Sequence, residues 1–128
     1  MSKLKRAIKL DEVEWKRNND PRDWLFYKRL IWKETGSTDL CVGLGRLDAG
    51  RVLDLHNHPE DGEFYYVLEG RAEVTVDEEV IDATPGTAIY IPAGAKHKVV
   101  NKGEKSFFFL YGLNADTRRY EYDVPLPE

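Results

Sequence analysis

The feature that most restricts the fold of this chain is a series of short strand patterns separated by turn residues. The clearest is RAEVTVD at residues 71–77, where Ala72, Val74 and Val76 alternate with polar side chains. Comparable runs recur about every ten residues from residue 24 onward, and Gly and Pro cluster between them. Because no helical pattern separates these runs, the sequence predicts an all-β sandwich or barrel.

The chain has 128 residues, which is the length of a single domain with one hydrophobic core. We expect a β-barrel over residues 24–113, an N-terminal extension over residues 1–23 and a C-terminal tail over residues 114–128. The extension is polar and has room for one short helix in LDEVEWKRN. The tail is too polar and too rich in proline for a core strand.

Charge and composition narrow the class of partner. Acidic and basic residues are interleaved and the net charge is -4, which argues against nucleic acid or an anionic membrane as the main partner. No stretch approaches the roughly 18 apolar residues of a membrane span, and the basic start lacks an apolar run of signal-peptide length. The single Cys41 excludes an internal disulfide and fits a reducing compartment. We therefore expect a cytoplasmic protein with a small-molecule partner.

Two of the three histidines lie one residue apart, in the segment LDLHNHPEDGEF. Side chains two residues apart on a strand share a face, so His56 and His58 can converge on one ion at about 2.1 Å. The segment PEDG then turns the chain, Glu63 opens the next strand, and His97 follows the turn IPAG. Three nitrogens and one oxygen would then meet, which suits a divalent transition metal such as Fe, Mn, Ni, Zn, Co or Cu. The alternative is an ordinary surface or core pair of histidines.

The spacing around these histidines resembles the two motifs of the cupin superfamily. The first motif is Gly-x5-His-x-His-x4-Glu-x6-Gly, and the matching residues are Gly50, His56, His58, Glu63 and Gly70. The second is Gly-x5-Pro-x-Gly-x2-His-x3-Asn, and the matching residues are Gly86, Pro92, Gly94, His97 and Asn101. Both motifs match without a gap or a substitution, and the resemblance extends over about residues 36–113.

The resemblance implies a double-stranded β-helix, or jelly-roll barrel, that holds one divalent transition metal on His56, His58, Glu63 and His97. Asn101 is expected to make a structural hydrogen bond instead of touching the metal. Cupins of this size include dioxygenases, isomerases, epimerases and lyases, which implies a metal-dependent enzyme acting on a small metabolite with carboxylate or hydroxyl groups. The competing interpretation is a non-catalytic module that binds a sugar or small acid and uses its metal for sensing or stability.

Tyr65 is the candidate catalytic residue. It lies two positions after Glu63, so on a regular strand its side chain faces the same interior, where it can bind substrate or, beside a cation, act as a base. The segment HNHPEDGEFY also resembles the cupin lyases that cleave dimethylsulfoniopropionate, which implies the base role for Tyr65. The alternative is a core tyrosine whose hydroxyl bonds to the backbone. Arg46 and Arg51 are candidates for binding a carboxylate at the barrel mouth, with a plain surface position as the alternative.

Two of the strand patterns are apolar on both faces. In EFYYVLEG the face opposite Tyr65 carries Phe64, Tyr66 and Leu68, and FFFLY at residues 107–111 behaves in the same way. A sheet that is covered on one face only should alternate with polar residues, so a second sheet is expected to pack outside. We therefore expect a homodimer. The alternative is burial of this face beneath the N-terminal segment with its tryptophans.

Overall fold

A computed structural model describes residues 4–18 and 23–114 of the chain. These residues form ten β-strands and two short 3-10 turns, the latter at Leu10–Glu12 and Lys33–Thr35. The strands are β1 (Lys16–Arg17), β2 (Leu25–Ile31), β3 (Cys41–Leu47), β4 (Val52–His56), β5 (Glu63–Glu69), β6 (Ala72–Val76), β7 (Glu79–Ala83), β8 (Ala88–Ile91), β9 (His97–Val100) and β10 (Phe107–Leu113).

The strands are arranged in two antiparallel sheets. One has six strands in the order β1-β2-β3-β10-β5-β8, and the other has four in the order β4-β9-β6-β7. Neighbouring strands are often distant along the chain, as β3 and β10 are, because the chain crosses repeatedly between the sheets. This arrangement is a jelly-roll barrel, and it confirms the all-β prediction. Within the two described ranges, no helix has the length and apolar character needed to cross a membrane.

The core lies between the two sheets and follows the predicted alternation. In β6, Ala72 and Val74 are buried, and Val74 is the cross-strand partner of Val99 in β9. Tyr65 and Val67 of β5, in the other sheet, belong to the same buried cluster. Burying an apolar side chain of this size contributes about 1.5–3 kcal/mol, and a slip of one residue would turn it outward. The core therefore fixes the register of the strands.

Strand β3 presents its smallest residues to the interior. Gly43 and Gly45 lie beneath the rings of Tyr111 and Phe109 on the neighbouring strand β10. A Cβ atom at Gly45 would lie 2.7 Å from Cε1 of the Phe109 ring, closer than carbon atoms can approach. The two glycines therefore leave the room that aromatic side chains of β10 occupy.

The described part of the predicted N-terminal extension joins the larger sheet, because β1 pairs with β2. Within LDEVEWKRN the structure has the single 3-10 turn Leu10–Glu12, and it has no helix longer than this turn there. The predicted tail starts at Asn114, directly after β10, and residues 115–128 lie outside the described residues. The division into extension, barrel and tail stays a prediction.

Candidate metal centre

The four side chains predicted as metal ligands meet in the interior of the barrel. His56 is the last residue of β4, His97 is the first of β9, and the two are cross-strand partners. Glu63 is the first residue of β5, and His58 follows β4. One ligand atom from each of the four side chains lies within 4.8 Å of all the others. We call these four residues the His/Glu cluster.

His58 lies in the loop after β4, and not on the strand as predicted. The strand ends at His56, and its pairing with β9 is irregular between Leu53 and His56. The Gly94 N–H donates a hydrogen bond of 2.8 Å to the His58 carbonyl, which ties this loop to the turn before β9. The imidazoles still converge, because the ring centroid of His58 is 5.4 Å from that of His56 and 5.5 Å from that of His97.

Backbone carbonyl groups orient two of the imidazoles. Nδ1 of His56 donates to the Asp54 carbonyl at 2.7 Å, and Nδ1 of His97 donates to the Ala95 carbonyl at 2.9 Å. A carbonyl oxygen can only accept, so in each neutral ring Nδ1 carries the hydrogen and Nε2 keeps its lone pair. Histidines that bind metals commonly make this second hydrogen bond, which fixes the tautomer and the direction of the ring.

Two buried polar atoms of the cluster lack hydrogen bonds. Nε2 of His97 lies 2.9 Å from Oε1 of Glu63, yet neither atom has a hydrogen-bond partner among the described residues. Nε2 of His58 lies 3.6 Å from the same oxygen. An unpaired buried polar atom costs about 1–3 kcal/mol, so atoms aimed at one point indicate a missing ligand. Three imidazole nitrogens and a carboxylate fit a divalent transition metal, and the cluster can hold such an ion.

Burial favours the neutral form of two of the histidines. Desolvation lowers the pKa of His56, and the nearby His97 lowers it further. Desolvation is also the main cause of the lowered pKa of His58, although the negative charge of Glu63 acts in the opposite direction. A protonated imidazole cannot bind a metal, so these shifts keep both rings available as ligands near neutral pH.

Polar side chains hold both ends of β9. Asp77, with a φ of 51°, donates its N–H to the Lys96 carbonyl at 2.7 Å, and its Oδ1 accepts the Lys96 N–H at 3.0 Å. Directly after β9, the fully buried Asn101 donates from Nδ2 to two backbone carbonyls, at 2.9 and 2.8 Å. These contacts position His97, and they confirm the structural role predicted for Asn101.

A cavity of about 690 Å³ opens on the cluster. His56, His58 and Glu63 line it together with Tyr65, whose ring contacts His97 edge-on at a centroid distance of 6.1 Å. Tyr65 is almost fully buried, and desolvation raises its pKa well above the ordinary value of 10. Its side chain therefore faces the interior, as predicted, and its hydroxyl keeps its proton at neutral pH.

The two arginines suggested by the sequence for carboxylate binding do not line this cavity. The guanidinium of Arg46 stacks on the ring of Phe26 at 4.2 Å, and that of Arg51 stacks on Trp24 at 4.2 Å. Both suggestions are therefore wrong for this cavity, because each guanidinium is held against an aromatic ring elsewhere.

The sequence alone does not identify Arg29, which does line the cavity. Arg29 follows Leu25 and Tyr27 at intervals of two in β2, and all three line the cavity. The spacing of two residues does place these three side chains on one face of a strand. The sequence does not show that this face is internal, because the pairing of β2 with β3 decides which face of β2 points inward.

Comparisons with known proteins agree with this architecture. Residues 43–111 match the family model described as the cupin domain. An uncharacterised protein of Streptomyces coelicolor is 36% identical over 93 residues, which cover 73% of this chain and 81% of the relative. Dimethylsulfoniopropionate lyase DddW of Ruegeria pomeroyi is 31% identical over 123 residues, which cover 91% of this chain and 77% of the lyase.

Among solved structures, the polyketide cyclase RemF from Streptomyces resistomycificus matches with a TM-score of 0.77 at 20% identity. The match covers 86% of this chain and 79% of RemF, and at this identity it indicates a shared fold only. Fold, cluster and family model lead to the same conclusion: the chain belongs to the cupin family.

Proposed function

We propose that this cupin is a metal-dependent enzyme acting on a small polar metabolite with carboxylate or hydroxyl oxygens. The observation that carries the proposal is the convergence of three imidazoles and one carboxylate at the wall of a cavity of about 690 Å³. A cavity of this size suits a metabolite. The proposed ligands of one divalent transition metal are His56, His58, Glu63 and His97.

Each part of the protein has a role in this proposal. When bound, the metal polarises substrate oxygens as a Lewis acid and, if it is iron or manganese, also activates dioxygen. The carbonyls of Asp54 and Ala95 hold two imidazoles in the orientation that presents Nε2 to the ion. Leu53, Phe109 and Leu113 form apolar parts of the cavity wall and limit the access of water to the bound substrate. The proposal covers dioxygenases, isomerases and lyases.

Tyr65 is the proposed acid–base residue. Its side chain lies in the cavity beside the cluster, and its ring also packs edge-on against Phe109 at a centroid distance of 4.8 Å. This packing restricts the ring to one direction, so the hydroxyl is held ready to exchange a proton with a bound substrate. The alternative is a purely structural tyrosine, and the activities of Tyr65→Phe and Tyr66→Phe distinguish the two.

A second candidate function is cleavage of dimethylsulfoniopropionate. The observation that favours it is the 31% identity to DddW over 91% of this chain, together with Tyr65 two residues after Glu63. A metal cation bound beside Tyr65 would lower the pKa of its hydroxyl, and the resulting phenolate would remove the proton next to the substrate carboxylate while dimethyl sulfide leaves from the adjacent carbon. Release of dimethyl sulfide from added dimethylsulfoniopropionate, measured by gas chromatography, supports this candidate, and its absence with every metal tested removes it.

The general proposal is tested with protein loaded separately with Fe(II), Mn(II), Co(II), Ni(II) or Zn(II). Small acids and sugars are supplied with and without dioxygen, and metal-free protein is the control. Turnover that requires dioxygen indicates a dioxygenase, and turnover without it indicates an isomerase or a lyase. Tight binding of a small acid without turnover under any condition would contradict the enzyme proposal and favour a non-catalytic binding module.

We also propose that the protein is a cytoplasmic homodimer. The outward face of β5 supports dimerisation, because Phe64, Tyr66 and Leu68 are each 40–43% exposed. Next to them, Tyr90 of β8 is 72% exposed and is the cross-strand partner of Phe64. Elsewhere on this sheet, the N-terminal segment contributes Trp15, whose ring contacts that of Phe108 at 6.4 Å. The apolar face near β5 and β8 is the proposed interface.

The single cysteine of the chain, Cys41, is buried, and this fits the reducing interior that the location proposal requires.

A further inference from the structure

One wall of the cavity carries a positive charge. We call this the distal wall, and it consists of Tyr27, Arg29, Trp32, Cys41 and Tyr111. Among the described residues that line the cavity, Arg29 is the single arginine or lysine. An arginine placed inside a small-molecule cavity fixes the charge of the ligand that fits there.

Arg29 of the distal wall lies three strands along the larger sheet from Tyr65, whose ring packs beside His97 of the His/Glu cluster. Tyr65 of β5 is the cross-strand partner of Tyr111, Tyr111 is that of Gly43, and Gly43 is that of Arg29. Neighbouring strands lie about 4.8 Å apart, so the backbones of Tyr65 and Arg29 are separated by about 14 Å along the sheet. A ligand that spans the cavity therefore meets the cluster at one end and Arg29 at the other.

Aromatic rings hold the Arg29 guanidinium in place. Its Cζ atom lies 5.1 Å from the ring centroid of Tyr27 and 4.9 Å from that of Trp32. The guanidinium also donates a hydrogen bond to the Tyr111 hydroxyl. A guanidinium carries five N–H donors in a planar fork, so it can hold a phenol and a carboxylate at the same time. Stacking reduces the side-chain entropy that is lost on binding.

Gly43 makes the contact between Arg29 and Tyr111 possible. Because Gly43 has no side chain, the Tyr111 ring extends over β3 towards Arg29 on the next strand. A Cβ atom at Gly43 would collide with the Tyr111 hydroxyl and would lie 2.7 Å from the Lys28 carbonyl oxygen. A phenol that accepts from Arg29 can donate its own hydrogen to a ligand oxygen.

We propose that Arg29 and the Tyr111 hydroxyl bind a carboxylate of the substrate, so that the substrate is a small organic acid whose other end reaches the His/Glu cluster. The cluster end of this assignment rests on the proposed function, whereas the arginine end stands on the geometry of the distal wall. One planar guanidinium matches the two oxygens of a carboxylate.

The other lining groups favour a carboxylate over a phosphate. Asp23 and Glu63 also line the cavity, and their charges oppose a doubly charged phosphate more than a singly charged carboxylate. Leu25 and Leu113 provide apolar surface for the carbon chain of an acid. The site therefore fits an acid with a short hydrocarbon segment between two polar ends.

The test uses glutarate and its uncharged analogue glutaramide, with inorganic phosphate as a third probe. Calorimetric titration into the metal-free and the Co(II)-loaded protein gives the dissociation constants, and the visible spectrum of Co(II) reports contact at the cluster. The variants are Arg29→Gln, Arg29→Lys and Tyr111→Phe. Arg46→Gln is the matched control, because Arg46 also stacks on aromatic rings but does not line the cavity.

We expect Arg29→Gln to raise the dissociation constant of glutarate about 10- to 100-fold, in both the metal-free and the loaded protein. Arg29→Lys and Tyr111→Phe should give smaller increases, and Arg46→Gln should stay within about twofold of the unsubstituted protein. Glutaramide and phosphate should bind more weakly than glutarate. Thermal unfolding checks that each variant is folded. If Arg29→Gln does not fold, Arg29→Lys still tests the inference.

Two results would overturn the inference. One is glutarate binding that is insensitive to Arg29→Gln and Arg29→Lys but lost on metal removal, because the acid would then bind at the cluster only. The other is that glutaramide or phosphate binds as tightly as glutarate, or that glutarate does not bind at all, because the site would then not select a carboxylate. Metal content is measured separately in the same samples. If the unsubstituted protein binds no metal, the proposed function is contradicted. The binding of glutarate to the metal-free Arg29 variants still tests the arginine end of the inference.

Discussion

His56 and His97 are direct cross-strand partners in β4 and β9, and their ring centroids lie 4.1 Å apart. The same pairing that builds the smaller sheet thus brings two proposed metal ligands together. Burial and the neighbouring His97 both lower the pKa of His56, so a neutral His56 ring, free to bind a metal ion, is favoured at this pairing. Folding, protonation and metal binding are therefore coupled at this strand pair.

The first prediction concerns metal content. Purified protein should bind about one transition metal per chain, and His58→Ala should reduce this to near zero while the strand content remains. At a free metal concentration 100 times the dissociation constant, binding stabilises the fold by about 2.7 kcal/mol, which a chelator should remove. Asn57→Ala is the matched control, because Asn57 lies between the two histidines and is exposed. Full metal content in His58→Ala, by elemental analysis, would contradict the proposed ligand set.

The second prediction separates catalysis from packing at Tyr65. If the hydroxyl transfers a proton, Tyr65→Phe should lower kcat about 10²- to 10⁴-fold with little change in metal content or unfolding temperature. Tyr66→Phe is the control, since Tyr66 is the next residue but lies on the outer face, 40% exposed. Equal activity of the two variants, measured on whichever substrate turns over, would remove Tyr65 from the mechanism.

The third prediction is the pH dependence of the metal-free protein. Burial lowers the pKa values of His56 and His58 in the folded state, whereas in the unfolded chain both protonate near 6.5. The unfolded state therefore binds more protons once the pH falls below about 6.5, and the free energy of unfolding decreases there. Urea titrations in the presence of a chelator, from about pH 8 to pH 5, should show this loss. A double variant, His56→Gln with His58→Gln, should have a flatter profile, and identical profiles would contradict the prediction.

The fourth prediction tests the proposed dimer interface. Tyr66→Glu introduces a charge into the exposed apolar face of β5 and should convert a dimer into a monomer in sedimentation experiments. Val80→Glu is the control, because Val80 is 63% exposed on β7 of the other sheet. A monomeric unsubstituted protein, or a dimer that tolerates Tyr66→Glu, would place the interface elsewhere or remove it.

The fifth prediction concerns Asn101. Its side-chain N–H groups bond to two carbonyls, and its oxygen accepts the Gly103 N–H at 3.0 Å. Asn101→Ala leaves the buried Leu47 carbonyl unpaired and removes two half-buried hydrogen bonds, so the free energy of unfolding should fall by about 2–4 kcal/mol. Chemical denaturation measures this, with the exposed Lys102→Ala as the control. A loss below about 0.5 kcal/mol would show that Asn101 is not a structural link.

The sequence predicted the strands and the four residues of the cluster because both depend on local spacing. Alternation in RAEVTVD fixed which side of β6 is buried, and Gly94, with a φ of 83°, stands in the turn that precedes His97. His58 was placed on a strand in error, because the irregular pairing between Leu53 and His56 ends β4 early. Period alone does not reveal such an irregularity.

The place of Arg29 in the distal wall could not be predicted from the sequence, for a different reason. Arg29 and Tyr111 are far apart along the chain and meet through the pairings of β2 with β3 and of β3 with β10. Long-range pairing of this kind has no local signature. The sequence suggests Arg46 as a carboxylate-binding residue, but in the sheet its guanidinium lies against Phe26 and Asp48.

Gly43 and Gly45 of β3 have a consequence for how the size of the cavity can change by substitution. At these two positions the rings of Phe109 and Tyr111 set the breadth of the cavity, because neither glycine has a side chain. A single exchange at either aromatic position can lengthen or shorten the accepted ligand while the scaffold stays as it is. The width of the cavity can thus vary while the His/Glu cluster stays unchanged.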